Sequence, residues 1–168
     1  MRLKIRFPLR HPLYPDWAVT PARAAQGRSM VLSGTCWELL RAAAGGLTAE
    51  RAVFVLHFPD SPFLSASDRD ALWEAFQVPV YACLLDGEGR LVGYECEAQD
   101  GLHIPTECSG DSRQTALLCE DSLLGYRIPL DVTLLDKSPC ECGRPGQRLR
   151  FAGPRAAARR LEIVGSPR

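Results

Sequence analysis

Apolar and polar positions alternate along residues 1–7, MRLKIRF, in the period of a half-buried strand, and prolines at positions 8, 12 and 15 end it. From there to about Ser29 the pattern predicts irregular chain. The segment CWELLRAAA, residues 36–44, carries apolar residues at helical spacing and is closed by Gly45 and Gly46. RAVFVLHF, residues 51–58, is a near-continuous apolar run rich in β-branched and aromatic residues, which predicts a strand covered on both faces. SASDRDALWEAF then predicts a helix over 67–76, with Ser67 as N-cap, acids in the first turn, and Leu72, Trp73 and Phe76 on one side.

Strand, helix and then VPVYACLL form the order of a βαβ unit and predict a small parallel or mixed sheet. The turn DGEG at 86–89 joins VPVYACLL to RLVGYEC as a hairpin. Short apolar runs, TALLC, SLLGYRI and DVTLL, follow between polar residues, so the middle of the chain is expected to be β-rich. The expected class is α/β, with α+β as the alternative: a small mixed sheet, a few helices and a β-rich lobe. The expected organisation is a basic N-terminal strand and irregular arm over 1–30, one α/β domain over 31–152, and a basic tail over 153–168.

Charge changes this picture in one respect. The formal net charge is zero, yet residues 1–30 hold six Lys/Arg against one acid, residues 86–142 hold twelve acids against four bases, and residues 143–168 hold seven arginines against Glu162. An acidic middle lies between basic ends. The tail lacks the aromatic residues that stack on bases, so no nucleic-acid partner is expected. No run of 18 apolar residues is present and the start is broken by prolines and charges, so neither a membrane span nor an export signal is expected, and a cytoplasmic location is. Seven cysteines, an odd number, then point to thiols or metal ligands rather than to a disulfide framework.

Cys96 and His103 stand in ECEAQDGLHI, and Cys140 and Cys142 stand in SPCECGRPGQRL, followed by Gly143. Together they make a potential Cys3His set, the thiolate and imidazole mixture that a structural zinc takes in a tetrahedron. Cys-x-Cys and Cys-x6-His depart from the common Cys-x2-Cys spacing, and buried free thiols are the alternative. Cys108 lies close enough to His103 to substitute for a ligand. Cys36, Cys83 and Cys119 sit in apolar segments and read as core thiols.

GYECEAQDGLHI, a β-rich interval and CECGRPGQRL in this order resemble the late part of the large adenylation domain in the phenylacetate-CoA ligase family of adenylate-forming enzymes. The resemblance covers about residues 65–152. It implies a structural zinc on Cys96, His103, Cys140 and Cys142. It also implies an aspartate on ribose hydroxyls, whose nearest counterpart is Asp131 in LGYRIPLD, although the spacing from Tyr126 is one residue longer than in the family.

The departures are equally specific. The family's Ser/Thr/Gly-rich phosphate loop has no counterpart beyond the Ser-Gly-Thr of VLSGTCWELL, and its aromatic-x-Thr-Glu motif and C-terminal lysine domain are not found. The expectation is a non-catalytic zinc-binding protein with a binding or regulatory role and a protein partner. The alternative is a subunit that contributes to an AMP-forming acyl- or aryl-CoA ligase activity with a partner chain.

Three further features have an ordinary structural reading beside a chemical one. His57 near Asp60 is expected to be a core histidine rather than part of a nucleophilic site. Arg144 is expected to pair with Glu141 or a nearby acid. Glu95, Glu97, Asp100 and Glu107 would supply a general base only to a catalytic metal, which needs an open position that four protein ligands close.

Overall fold

A computed structural model of the protein describes residues 9–58, 61–105 and 133–151. Within them one mixed sheet runs in the order β1-β2-β3-β4-β5-β6-β8-β7. Its strands are β1 (Val19–Pro21), β2 (Arg28–Gly34), β3 (Thr48–His57), β4 (Val80–Leu85), β5 (Leu91–Tyr94), β6 (Leu102–His103), β7 (Thr133–Asp136) and β8 (Arg148–Phe151). The first four are parallel and the remainder antiparallel. The mixed α/β class expected from the sequence is the one observed.

Two helices cross between the parallel strands: α1 (Cys36–Ala44) from β2 to β3, and α2 (Ala66–Phe76) from β3 to β4. Both begin with reciprocal caps that satisfy amide groups a helix start leaves unpaired. Thr35 Oγ1 accepts from Glu38 N while Glu38 Oε2 accepts from Thr35 N at 2.9 Å. Ser65 and Asp68 repeat the arrangement at α2. Ser65 is therefore the N-cap and Ser67 lies inside the helix, a shift that arises because Asp68, three residues after Ser65, completes the box. Gly45 and Gly46 end α1 as expected, their amides donating to carbonyls of its last turn.

The helices cover one face of the parallel strands, packing Leu39, Leu72 and Phe76 against Leu32, Val53, Val55 and Val80. On the same face Phe63 lies against Ala82, Leu84, Val92, Leu102, Ile104 and Leu149. The opposite face carries Val31, Phe54, Leu56, Tyr81, Cys83 and Tyr94, and residues 9–17 lie across it through Leu9, Leu13, Tyr14 and Trp17. Ala52 to His57 are buried on both sides as a result, which is why that stretch is a continuous apolar run.

Several expectations need correction. The stretch to Ser29 contains β1, a short 3-10 turn at Ala22–Ala24 and the start of β2, so it is not wholly irregular. β2 escaped notice because RSMVLSG mixes small and polar residues and owes its order to two flanking parallel strands. Trp73 does not share the buried side of Leu72 and Phe76; it is 53% exposed. The hairpin across DGEG and the βαβ unit of β3, α2 and β4 are present. The strand expected over residues 1–7, the runs TALLC and SLLGYRI, and the tail from 153 lie outside the described residues.

Candidate metal centre

The antiparallel half of the sheet aligns one row of residues across five strands. Cys83 of β4 lies opposite Tyr94 of β5, Tyr94 opposite His103 of β6, His103 opposite Arg148 of β8, and Arg148 opposite Asp136 of β7. Directly opposed residues project to the same face. The Tyr94 and His103 rings accordingly stack at 5.6 Å and 16°. His103 is thus placed where β5 and β8 each run into a loop.

Those two loops carry the cysteines. Cys96 follows β5 and opens a turn in which Gln99 N donates to Cys96 O. Cys140 opens a second turn, closed by Gly143 N donating to Cys140 O at 2.9 Å. Gly143 sits at φ +76 with open space around it, so the left-handed backbone, not crowding, is what calls for glycine. Each turn also aims an amide at sulfur: Ala98 N–H toward Cys96 and Arg144 N–H toward Cys142.

Cys96, His103, Cys140 and Cys142 converge so that one ligand atom from each lies within 4.8 Å of all the others. Cys96 Sγ and Cys140 Sγ are 3.7 Å apart, and Cys142 Sγ is 3.5 Å from His103 Nε2. Two sulfurs at that separation are not a disulfide, whose bond is about 2.05 Å. Cys96, His103 and Cys140 are buried and Cys142 is half-buried. Three thiols and an imidazole with no apolar filling between them form a donor set suited to a metal ion. The four residues singled out in the sequence are the four brought together; Cys108 and Asp131 lie outside the described residues.

Proton affinities divide the cluster. Burial pushes the Cys96 thiol up to about 12, helped by the neighbouring thiols of Cys140 and Cys142. Burial also works to raise Cys142, but the Arg144 amide, the Cys140 and Cys96 thiols and the Arg144 guanidinium outweigh it, so this thiol lies below its ordinary value. His103 is held below the usual imidazole range by burial and by the cations Arg148 and Arg144, which keeps Nε2 neutral and able to ligate. Of the Cys96 and Cys142 thiols, Cys142 is the more readily ionised.

Three acids around the centre, Glu95, Glu97 and Asp100, are engaged by arginines, whereas Glu141 is exposed. Arg69 donates twice to Glu95, at 2.8 and 3.0 Å, while Glu95 Oε2 accepts from Ala82 N at 2.7 Å. Arg144 donates to both oxygens of Glu97, and Tyr14 of the N-terminal arm donates to Glu97 at 3.3 Å. Arg144 thus pairs with Glu97 and not with Glu141. Asp100 is bound by Arg148. Glu107 lies outside the described residues.

Arg148 is the residue that the sequence did not single out. It is 2% exposed, and its Nη1 donates to the carbonyl and the carboxylate of Asp100 at 3.1 Å each. Its Nη2 reaches Asp136 Oδ2 and Ser138 Oγ at 3.3 Å, with the carbonyls of Ser138 and Pro139 at 3.5 Å. One guanidinium therefore holds the chain just before His103 and just before Cys140. The only signal in the sequence is an arginine among the alternating positions of RLRF, which reads as a solvated strand face until its partner loops are in place.

His57 is a core residue. Its Nδ1 lies 3.3 Å from Pro62 O, its ring stacks on Phe63, and burial lowers it to about 4. Asp60 lies outside the described residues. His11, from the arm, is wholly buried among Tyr14, Phe54 and Tyr94. Cys83 is a core thiol, whereas Cys36 is half-buried in the first turn of α1. The Ser33-Gly34-Thr35 segment ends β2 and caps α1 through Glu38. Among the described residues no helix is long and apolar enough to cross a membrane. Compared with known proteins, the chain matches no family model and no curated sequence.

Proposed function

We propose that this protein is a non-catalytic zinc-binding module, related to a truncated core of the phenylacetate-CoA ligase family, that acts by binding a protein partner. The observation that carries the reading is the closed set of Cys96, His103, Cys140 and Cys142, whose atoms lie within 4.8 Å of one another. In a tetrahedral zinc site with bonds of about 2.3 Å to sulfur and about 2.0 Å to nitrogen, the S–S edge is about 3.8 Å and the S–N edge about 3.6 Å. The separations of 3.7 and 3.5 Å fall on those edges.

Four protein donors leave no coordination position for a reacting water, and Glu95, Glu97 and Asp100 serve as arginine partners instead of free bases. Zinc here would join the loop after β5 to the loop before β8. A structural zinc contributes roughly 10–16 kcal/mol in apparent terms, against about 5–15 kcal/mol for the stability of a whole domain. The metal therefore decides whether the antiparallel half of the sheet holds together.

The test is the metal content of untagged protein purified without added metal, followed by melting with and without a strong chelator. One zinc per chain and a chelator-dependent collapse support the reading. A metal-free protein whose melt ignores chelator overturns it. Thermal stabilisation by ATP or AMP would transfer the protein to the catalytic alternative.

A further inference from the structure

At the opposite side of the sheet from the metal centre, we infer that the cleft between the 3-10 turn at Ala22–Ala24 and α1 is a binding site for a small organic anion with a flat apolar body. The cleft has a volume of about 390 Å³ and is lined by Ala22, Arg23, Trp37, Glu38, Arg41 and Ala42. That volume lies within the range of small-molecule sites, roughly 300–1,000 Å³.

Its position follows from the topology. The 3-10 turn leaves the carboxyl end of β1, and α1 leaves the carboxyl end of β2, its parallel neighbour. Both segments lie on the same face of the sheet, where Ala22 and Leu39 share one apolar cluster, and the cleft is the surface groove left between them. A Cβ at Gly34 would crowd Glu38, at 3.2 Å from its Oε2 and 3.3 Å from its Cβ, while meeting the Ala22 methyl at an ordinary 3.5 Å.

The lining determines the ligand. Arg23 and Arg41 are exposed and form no ion pair with a carboxylate among the described residues. Glu38, the one acid of the cleft, is engaged at Oε2 by the amide and hydroxyl of Thr35 at 2.9 and 3.1 Å. The lining therefore carries two cations against one anion, and both cations retain donors for carboxylate or phosphate oxygens. Trp37 is 65% exposed, with the Arg41 guanidinium 5.3 Å from its ring centroid. An exposed indole beside two alanines offers a flat surface for an apolar body, and a planar anion would fill the space between that surface and Arg23. The inference is independent of the zinc reading, because the metal ligands belong to the loops around β5, β6 and β8.

The experiment follows the indole N–H resonances of the full-length, ¹⁵N-labelled protein, with Trp37 assigned by its loss in Trp37→Phe. Phenyl phosphate and benzoate are titrated as the phosphate and carboxylate arms, and benzyl alcohol and inorganic phosphate as the neutral and bodiless controls. The expected result is a saturable shift of the Trp37 signal in at least one arm while the Trp17 and Trp73 signals stay still, with the tighter arm identifying the anionic group. Arg23→Ala, at an exposed position, should weaken binding about tenfold, and Arg23→Lys should recover part of the loss. The inference is overturned if neither arm saturates by about 10 mM, if benzyl alcohol or inorganic phosphate binds as well as the aryl anions, or if Arg23→Ala leaves the affinity unchanged.

Discussion

Cys83 and Cys96 are both buried thiols in the same half of the sheet, yet they should answer the same substitution differently. Cys83 is walled by Phe54, Tyr81 and Leu85, whereas Cys96 Sγ faces Cys140 Sγ at 3.7 Å. Cys96→Ser and Cys140→Ser should each release the metal, and Cys83→Ser should keep it; metal analysis of the three purified variants decides, and equal zinc in all three would remove the centre. Arg148→Leu should cost about 3 kcal/mol in denaturant unfolding, since it strips their guanidinium partner from the carboxylates of Asp100 and Asp136 and from three main-chain carbonyls. It should also weaken zinc about tenfold or more in chelator competition, as removal of a group that orients ligands does. Arg144→Leu, which breaks a more exposed pair with Glu97, should cost under about 1 kcal/mol. The four residues of the cluster were legible in the sequence because thiol and imidazole announce their chemistry by type. Arg148 was not, because its role depends on Asp100, 48 positions away, and on three main-chain carbonyls that carry no sequence signal.

At the scale of elements, local chemistry set the helices and neighbours set the strands. Residues 36–44 were legible to the residue, since a Thr35–Glu38 cap and two glycines bound a single apolar stripe. The second helix was misread by one residue at its start and by two at its cap, because Ser65 and Ser67 each have an acid three residues on, Asp68 and Asp70, and the fold uses the first pair. Ser65→Ala should therefore destabilise by about 1 kcal/mol, and Ser67→Ala by less than half of that, in thermal or denaturant unfolding. Equal costs would place the cap elsewhere. Leu72→Ala, which removes a side chain with no exposed surface from beneath α2, should cost about 2–5 kcal/mol. β1 and β2 were missed for the complementary reason: three residues of half-buried VTP and the mixed RSMVLSG acquire strand character from pairing with each other and with β3.

Two histidines are buried apart from the metal centre, His11 and His57, and they shape the response to acid. Burial lowers both His11 and His57 from 6.5 to about 4. Between those values the unfolded chain binds protons that the folded chain refuses, so stability is full above about pH 6.5 and falls as the pH drops toward 4. Each histidine accounts for up to about 3 kcal/mol across that window. His57→Leu should make the fall shallower in denaturant melts taken between pH 7 and 4.5, and an unchanged pH profile would show that His57 takes up its proton equally in the folded and unfolded chain.

What the sequence determined by itself is whatever depends on neighbours along the chain: the first capped helix, the doubly covered stretch at 52–57, the hairpin across DGEG, and the donor chemistry of Cys96, His103, Cys140 and Cys142. Only the tertiary structure decided which acid each arginine holds, that residues 9–17 cover a face of the sheet, and that one lateral row through Tyr94, His103 and Arg148 brings the two cysteine turns together. The physical reason is range. Caps, turns and periodicity act over three or four residues, whereas the register of strands from distant parts of the chain is set by burial of the entire face, and that register carries His103 to the cysteines.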